Sequence, residues 1–157
     1  VGLPLSEYIR NRKRYTLSEK IETNFQKVPL FWQDFSATNE IATIGSHKEC
    51  LENRLYGITL YQEEETHSYL IGLETKGRIL QTKYEQFVIG AQTWLTLTTQ
   101  GIMPEAMIQM YRKFYNEWLP VTDYEYDYNA DIEVYPMYLE ETNDYELWLP
   151  IKRKKEV

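Results

Sequence analysis

Asp131-Ile132-Glu133-Val134-Tyr135-Pro136-Met137-Tyr138 is the stretch on which the reading of this chain turns. Its alternation of side chains predicts a strand over 132–138. One face carries Glu133, Tyr135 and Met137, the other Ile132, Val134 and Pro136. An ionised carboxylate on the inner face of a sheet is very costly without a partner. Glu133 therefore asks for one, and the neighbouring rings make a ligand a candidate. The segment lies in the most acidic part of the chain. No Lys or Arg occurs between Lys113 and Lys152, while Asp123, Glu125, Asp127, Asp131, Glu133, Glu140, Glu141, Asp144 and Glu146 accumulate together with tyrosines. The competing reading of Glu133 is an exposed strand acid paired across a hairpin, worth well under ~1 kcal/mol.

Working outward, Glu140–Asn143 reads as a turn and residues 145–151 as the strand that completes a hairpin. Upstream, Thr93–Thr99 is a strand ended by Gln100-Gly101. Pro104 then opens a helix in which Ala106, Met107, Met110, Tyr111, Phe114 and Trp118 recur at three-to-four spacing until Leu119-Pro120. The first half repeats the plan. A helix is expected over 28–38, with Pro29 in its first turn. A short helix near 46–53 with Ser46 as its cap, a strand over 55–61, an acidic turn and a strand over 68–73 follow. Residues 78–91 read as a connection with an extended segment at 86–89. Phe31-Trp32-Gln33-Asp34-Phe35 matches Phe114-Tyr115-Asn116-Glu117-Trp118 residue class by residue class. The expectation is an α+β fold of duplicated β-α-β-β units, with a cleft at their seam. The amino end is less defined. Val1–Leu5 could supply a first strand, and the basic run 6–15 could continue through Thr16–Ile21 as a helix or form a solvated charged face.

With 157 residues the chain suits one domain with a real core, and 43% hydrophobic residues exclude disorder. A net charge of −7 argues against general binding to nucleic acid or membrane surfaces. The single Cys50 cannot form an internal disulfide, no apolar run approaches the ~20 residues of a membrane span, and no signal-peptide pattern opens the sequence. A cytoplasmic location is the expectation. His47, Glu49 and Cys50 lack the spacing of a tetrahedral metal set, and no phosphate loop, dinucleotide fingerprint or serine-nucleophile elbow is present. No metal, cofactor or catalytic residue is expected.

Five segments in order carry a family resemblance: Phe31–Phe35, Tyr56-Gly57-Ile58, Phe114–Pro120, Asp131–Tyr135 and Glu146–Lys152. Together they resemble the GyrI-like small-molecule-binding domain, the effector-binding domain of AraC-family transcription regulators, over about 27–153. Residues 1–26 stand apart as a first strand or the remnant of a helix-turn-helix region, and 154–157 as a charged tail. The resemblance implies a concave antiparallel sheet with two main helices and a central ligand groove. It also implies a glutamate in the strand after the second helix, here Glu133, that meets the ligand among aromatic rings. The implied ligand is a lipophilic or aromatic cation, and the implied output is transcriptional, with DNA reached only through an attached or separate DNA-binding domain. No membrane partner is implied, and a homodimer is compatible. The ligand-binding candidates are Glu133, Tyr135, Tyr56, Tyr69, Trp94 and Trp148. Trp32, Phe35, Phe114 and Trp118 read as helix core. Two other functions compete: a hydrolase of electrophilic small molecules using Glu133 and a tyrosine, and an acidic protein inhibitor of a DNA enzyme.

Overall fold

The computed structural model describes residues 14–23, 27–46, 54–61, 67–77, 83–136 and 144–155. The strands β1 (Arg14–Thr23), β2 (Arg54–Tyr61), β3 (His67–Thr75), β4 (Glu85–Ile89), β5 (Trp94–Gln100), β7 (Ala130–Pro136) and β8 (Asp144–Arg153) form one antiparallel sheet in the order β4-β1-β3-β2-β7-β8-β5. A short β6 (Tyr124–Tyr126) adds to β8. The helices are α1 (Val28–Ala37), α2 (Glu40–Gly45) and α3 (Glu105–Lys113). α3 continues through a π-helical turn, Phe114–Trp118, and a 3-10 turn, Leu119–Val121.

The duplication is visible in the sheet order. One unit contributes β1-β3-β2 and the other β7-β8-β5, so the two are mirrored about the β2–β7 pair, where Gly57 faces Glu133. β4 lies outside this symmetry, on the outer edge of β1.

Two-residue alternation sorts the apolar side chains between the faces of the sheet. On one face, Leu55, Tyr69, Ile71 and Leu73 pack under Phe31, Trp32, Phe35 and Ile44 of α1 and α2. On the same face of the other unit, Leu95, Leu97, Leu147, Leu149 and Ile151 pack under Met107, Met110, Phe114 and Trp118. The π-helical turn brings both of its large rings inward, with Phe114 stacked on Trp118 at 5.7 Å. The opposite face gathers Tyr56, Ile58, Leu70, Ile132, Val134, Trp148, Trp94 and Ile89 into a third cluster.

That third cluster is buried because the sheet curls. Seven strands laid flat would put β4 and β5 roughly 29 Å apart at ~4.8 Å per strand. Residues 90–93 reach no more than about 17 Å across the gap between the two strands. The two ends of the sheet are thus drawn together, and Ile89 and Trp94 meet in one core.

The amino-terminal half departs from the sequence reading in two places. Thr16–Ile21 is not helical. It lies within β1, paired to β3 on one side and β4 on the other, as in Leu17 opposite both Leu73 and Gln86. Neighbouring strands on both edges satisfy its backbone, and this tertiary context outweighs the charged local sequence. The sheet therefore begins well before residue 27. A short helix that the sequence reading did not place also lies at Glu40–Gly45, closed by Ser46, whose hydroxyl donates to the Thr43 carbonyl at 2.7 Å. The helix expected near 46–53 lies, from residue 47 on, outside the described residues. Residues 1–13, 47–53, the acidic turn 62–66 and the turn 140–143 lie outside the described residues. Among the described residues no helix is long and apolar enough to cross a membrane.

Candidate functional site

A cavity of about 550 Å³ opens between α1 and the start of α3, over the seam of the two units. Its wall is formed by Trp32 of α1, Met107 and Tyr111 of α3, Leu55 of β2 and Tyr145 of β8, and its floor carries Glu133 and Tyr135 of β7. The volume suits a small organic ligand, since such pockets span roughly 300–1,000 Å³. Each ring arrives by a simple rule. Trp32 and Ser36 lie four residues apart on one face of α1, as do Met107 and Tyr111 on α3, and Glu133 and Tyr135 are alternate residues of one strand.

The Glu133 carboxylate is held asymmetrically. Tyr69 donates to Oε1 at 2.6 Å and Tyr135 donates to the same oxygen at 2.9 Å. The Trp32 indole N–H in turn donates to the Tyr69 hydroxyl at 2.9 Å. The Trp32 ring meets the Tyr135 ring edge to face at 4.9 Å. No described residue hydrogen-bonds Oε2 or brings a Lys or Arg to the acid. Burial pushes the Glu133 carboxyl up to about 6, against the two phenol hydrogen bonds, which pull it down, and with a further rise from Asp131. Burial also raises the Tyr69 and Tyr135 phenols above their ordinary value, with the nearby Glu133 charge adding to the rise. Both phenols hold their protons at neutral pH and act as donors.

Gly57 makes this arrangement possible. It sits on β2 directly between β3, which carries Tyr69, and β7, which carries Glu133. A Cβ there would overlap the Tyr69 hydroxyl and lie 2.9 Å from Glu133 Oε1. The missing side chain lets the phenol cross the strand to the acid.

The profile of integron-associated effector binding proteins, Cass2, matches residues 12–151. The chain belongs to this family.

The fold of this Cass2-family chain recurs in solved structures. SAV2435 bound to tetraphenylphosphonium superposes with a TM-score of 0.75 at 15% identity, over 97% of this chain and 94% of that one. The integron cassette protein VCH_CASS2 from the mobile metagenome of Vibrio cholerae gives 0.64 at 16% identity, over 95% of each chain. The C-terminal domain of EcmrR gives 0.61 at 12% identity over 96% of each. In an EcmrR–DNA complex the same match spans 59% of the EcmrR chain. At these identities the likeness is one of fold. No curated protein matches the sequence at a significant level. Mixed α+β architecture with an antiparallel sheet, as read from the sequence, is common to the chain and to these structures.

Of the residues singled out from sequence, the Cass2-family fold brings Glu133 and Tyr135 to the cavity and holds the buried Tyr69 on Glu133 by a hydrogen bond. It places Tyr56, Trp94 and Trp148 on the opposite face of the sheet, in the third core cluster. There Tyr56 lies 6.2 Å from Trp148, and the Trp148 indole donates to Glu146 at 3.2 Å. Phe35, Phe114 and Trp118 are buried core, as their helical spacing suggests, whereas Trp32 is half-buried and lines the cavity. Sequence reasoning passed over Tyr111 and Gly57. The signal for Tyr111 was its position four residues after Met107; for Gly57 it was a glycine inside an otherwise strong strand. Among the described residues no group of side chains has the make-up of a metal site. His47, Glu49 and Cys50 lie outside them.

Proposed function

We propose that this effector-binding domain takes up a lipophilic or aromatic cation, with Glu133 as its counter-charge and Trp32, Tyr111, Tyr135 and Tyr145 as the enclosing rings. One observation carries the reading: a carboxylate on the floor of an apolar cavity keeps one oxygen free of hydrogen bonds among the described residues. A buried charge without a partner is costly, and an incoming cation removes that cost. Rings around it add attraction of ~0.5–2 kcal/mol each. The tetraphenylphosphonium bound to the structurally similar SAV2435 is a ligand of this chemical type. Protonated phenols suit binding better than proton abstraction, so the site favours recognition over hydrolysis. Occupancy would be passed to DNA through an attached or separate DNA-binding domain, as the fold's presence in a DNA-bound regulator suggests.

The test is a tryptophan-fluorescence titration with tetraphenylphosphonium and a neutral triphenyl analogue. Saturable binding of the cation is expected, weakened at least about tenfold in Glu133→Gln, a loss of ~1.4 kcal/mol. Trp32 is the tryptophan on the cavity wall, so Trp32→Phe should remove most of the signal change. Equal affinity for the neutral analogue, or indifference to Glu133→Gln, would overturn the reading.

A further inference from the structure

Among the described residues, one long edge of the sheet is left open. β5 pairs with β8 on one side and with no described strand on the other. Pro150 lies opposite Trp94 and has no N–H to give, while the Ile151 N–H donates to the Thr93 carbonyl at 3.1 Å. Residues of an antiparallel pair exchange these bonds at every second position, so Leu95, Leu97 and Thr99 bond inward to β8. Thr96 and Thr98 therefore turn their backbone N–H and C=O groups outward. Proteins blunt such edges with charge, proline or a bulge, because a free ladder pairs with other chains. The opposite edge, β4, is short and opens with the exposed Glu85. The seven residues of β5 carry no charge and no proline, and Thr98 and Gln100 are exposed.

A recess of about 840 Å³ lies beside this edge, between it and α3. Leu97, Gly101, Ile102, Ala106 and Met110 give it an apolar lining, and Ile102 is 81% exposed. Glu105, Gln109 and Lys113 line it at four-residue intervals, forming one stripe along α3 with an acid at one end and a base at the other. Such a stripe is complementary to itself when turned about its middle residue, Gln109. No described salt bridge uses Glu105 or Lys113. Met107 and Tyr111 look the other way, into the ligand cavity, being offset from the stripe by about half a turn.

We propose that this edge and recess form the interface between two copies of the chain, with β5 paired antiparallel to β5 of the second copy about a two-fold axis at Thr98, and α3 packed on its mate with Glu105 against Lys113. Centring the axis on Thr98 sets Thr96 opposite Gln100 and Leu97 opposite Thr99, so no like charges meet. The axis stands perpendicular to the sheet, and both copies of α3 lie on one face. α3 covers Leu95 and Leu97 of β5 together with Leu147 and Leu149 of β8, and is thus seated over that pair of strands. With strands ~4.8 Å apart, α3 and its mate would run about 9–10 Å apart, within the 8–10 Å at which helices pack. Each helix then fills the recess beside the other. An unrelated peptide could satisfy the backbone of β5, but a charge stripe that reverses about Gln109 favours a second copy. The inference does not depend on the identity of the ligand.

The experiment is sedimentation equilibrium of the chain at low ionic strength, on wild type, Thr98→Pro, Glu105→Lys, Lys113→Glu and the double charge swap. Wild type should be mostly dimer at about 0.1 mM, as a Kd of ~10 µM or tighter requires. Proline at 98 removes only an outward N–H, which edge strands tolerate, so Thr98→Pro should stay folded by circular dichroism and become monomeric. Each single charge change sets like charges together twice per dimer and should weaken association about tenfold or more. The double swap restores both pairs and should return to within about threefold of wild type. That comparison stands even where Thr98→Pro does not fold. A wild-type monomer at the same concentration overturns the inference and leaves the edge to a strand of another protein. A dimer that survives in folded Thr98→Pro, or a double swap no tighter than the single changes, also overturns it.

Discussion

Replacing Gly57 with alanine adds one carbon where the Tyr69 hydroxyl crosses to Glu133. The new Cβ would overlap that hydroxyl and approach the ring carbon that bears it to 3.1 Å. Tyr69 is 1% exposed and packed under α1, so it cannot swing aside freely. Losing the 2.6 Å hydrogen bond to a charged acceptor costs about 1.5–3 kcal/mol, and the overpacking costs about 1–3 more. Alanine also restricts the unfolded chain, which returns about 0.4–1 kcal/mol. The expected net destabilisation is roughly 3 kcal/mol, or a fall in Tm of about 6–12 °C for a domain of this size. Cation affinity should fall with it, because Glu133 loses the phenol that fixes it. The decisive assay is a double-mutant cycle by urea unfolding with Tyr69→Phe, which removes only the oxygen that the Cβ meets. The double variant should be more stable than the sum of the single effects implies, by about 1 kcal/mol or more. A neutral Gly57→Ala, or strict additivity with Tyr69→Phe, would refute the crossing-strand argument.

Two further outcomes follow from the same geometry. Both acids, the buried Asp131 and the half-buried Glu133, are raised to about 6 in the fold, Glu133 from 4.5 and Asp131 from 3.8, chiefly by desolvation. A carboxylic acid raised on folding contributes stability below its unfolded pKa and loses it as pH rises through the folded value. Their joint contribution should therefore fall by roughly 2 kcal/mol between pH 5 and pH 7. Urea unfolding should show this fall, reduced in Asp131→Asn. Cation affinity should run the other way, weakening about tenfold from pH 7 to pH 5 as Glu133 protonates. An affinity that is flat over that range would exclude Glu133 as the counter-charge. Trp148→Phe, in the core on the far face of the sheet, should lower stability by about 1–3 kcal/mol and leave cation affinity within about twofold. A large loss of affinity at equal folding would place Trp148 at the ligand.

The sequence by itself determined the features that depend on neighbours a few residues apart. Alternation in 131–136 assigned Glu133 and Tyr135 to one face of β7 and Ile132 and Val134 to the other, and these are the faces the structure shows. Three-to-four spacing located α3, Pro29 and the apolar residues after it located α1, and the repeated aromatic pattern on the two helices pointed to duplicated units. What alternation cannot say is which face the helices cover, because a strand pattern defines two faces without naming the partner of either. The tertiary structure made that decision. It put Leu55, Tyr69 and Glu133 under the helices and turned Tyr56, Trp94 and Trp148 into the curl of the sheet. Only the fold could bring Trp32 to Tyr69 and Tyr69 to Glu133, residues 37 and 64 positions apart, through a gap left by Gly57. Only pairing on both edges made a strand of Arg14–Thr23, whose local sequence also permits a helix. The physical reason is one of range: periodicity fixes where side chains point along an element, while strand register and helix packing fix what they meet.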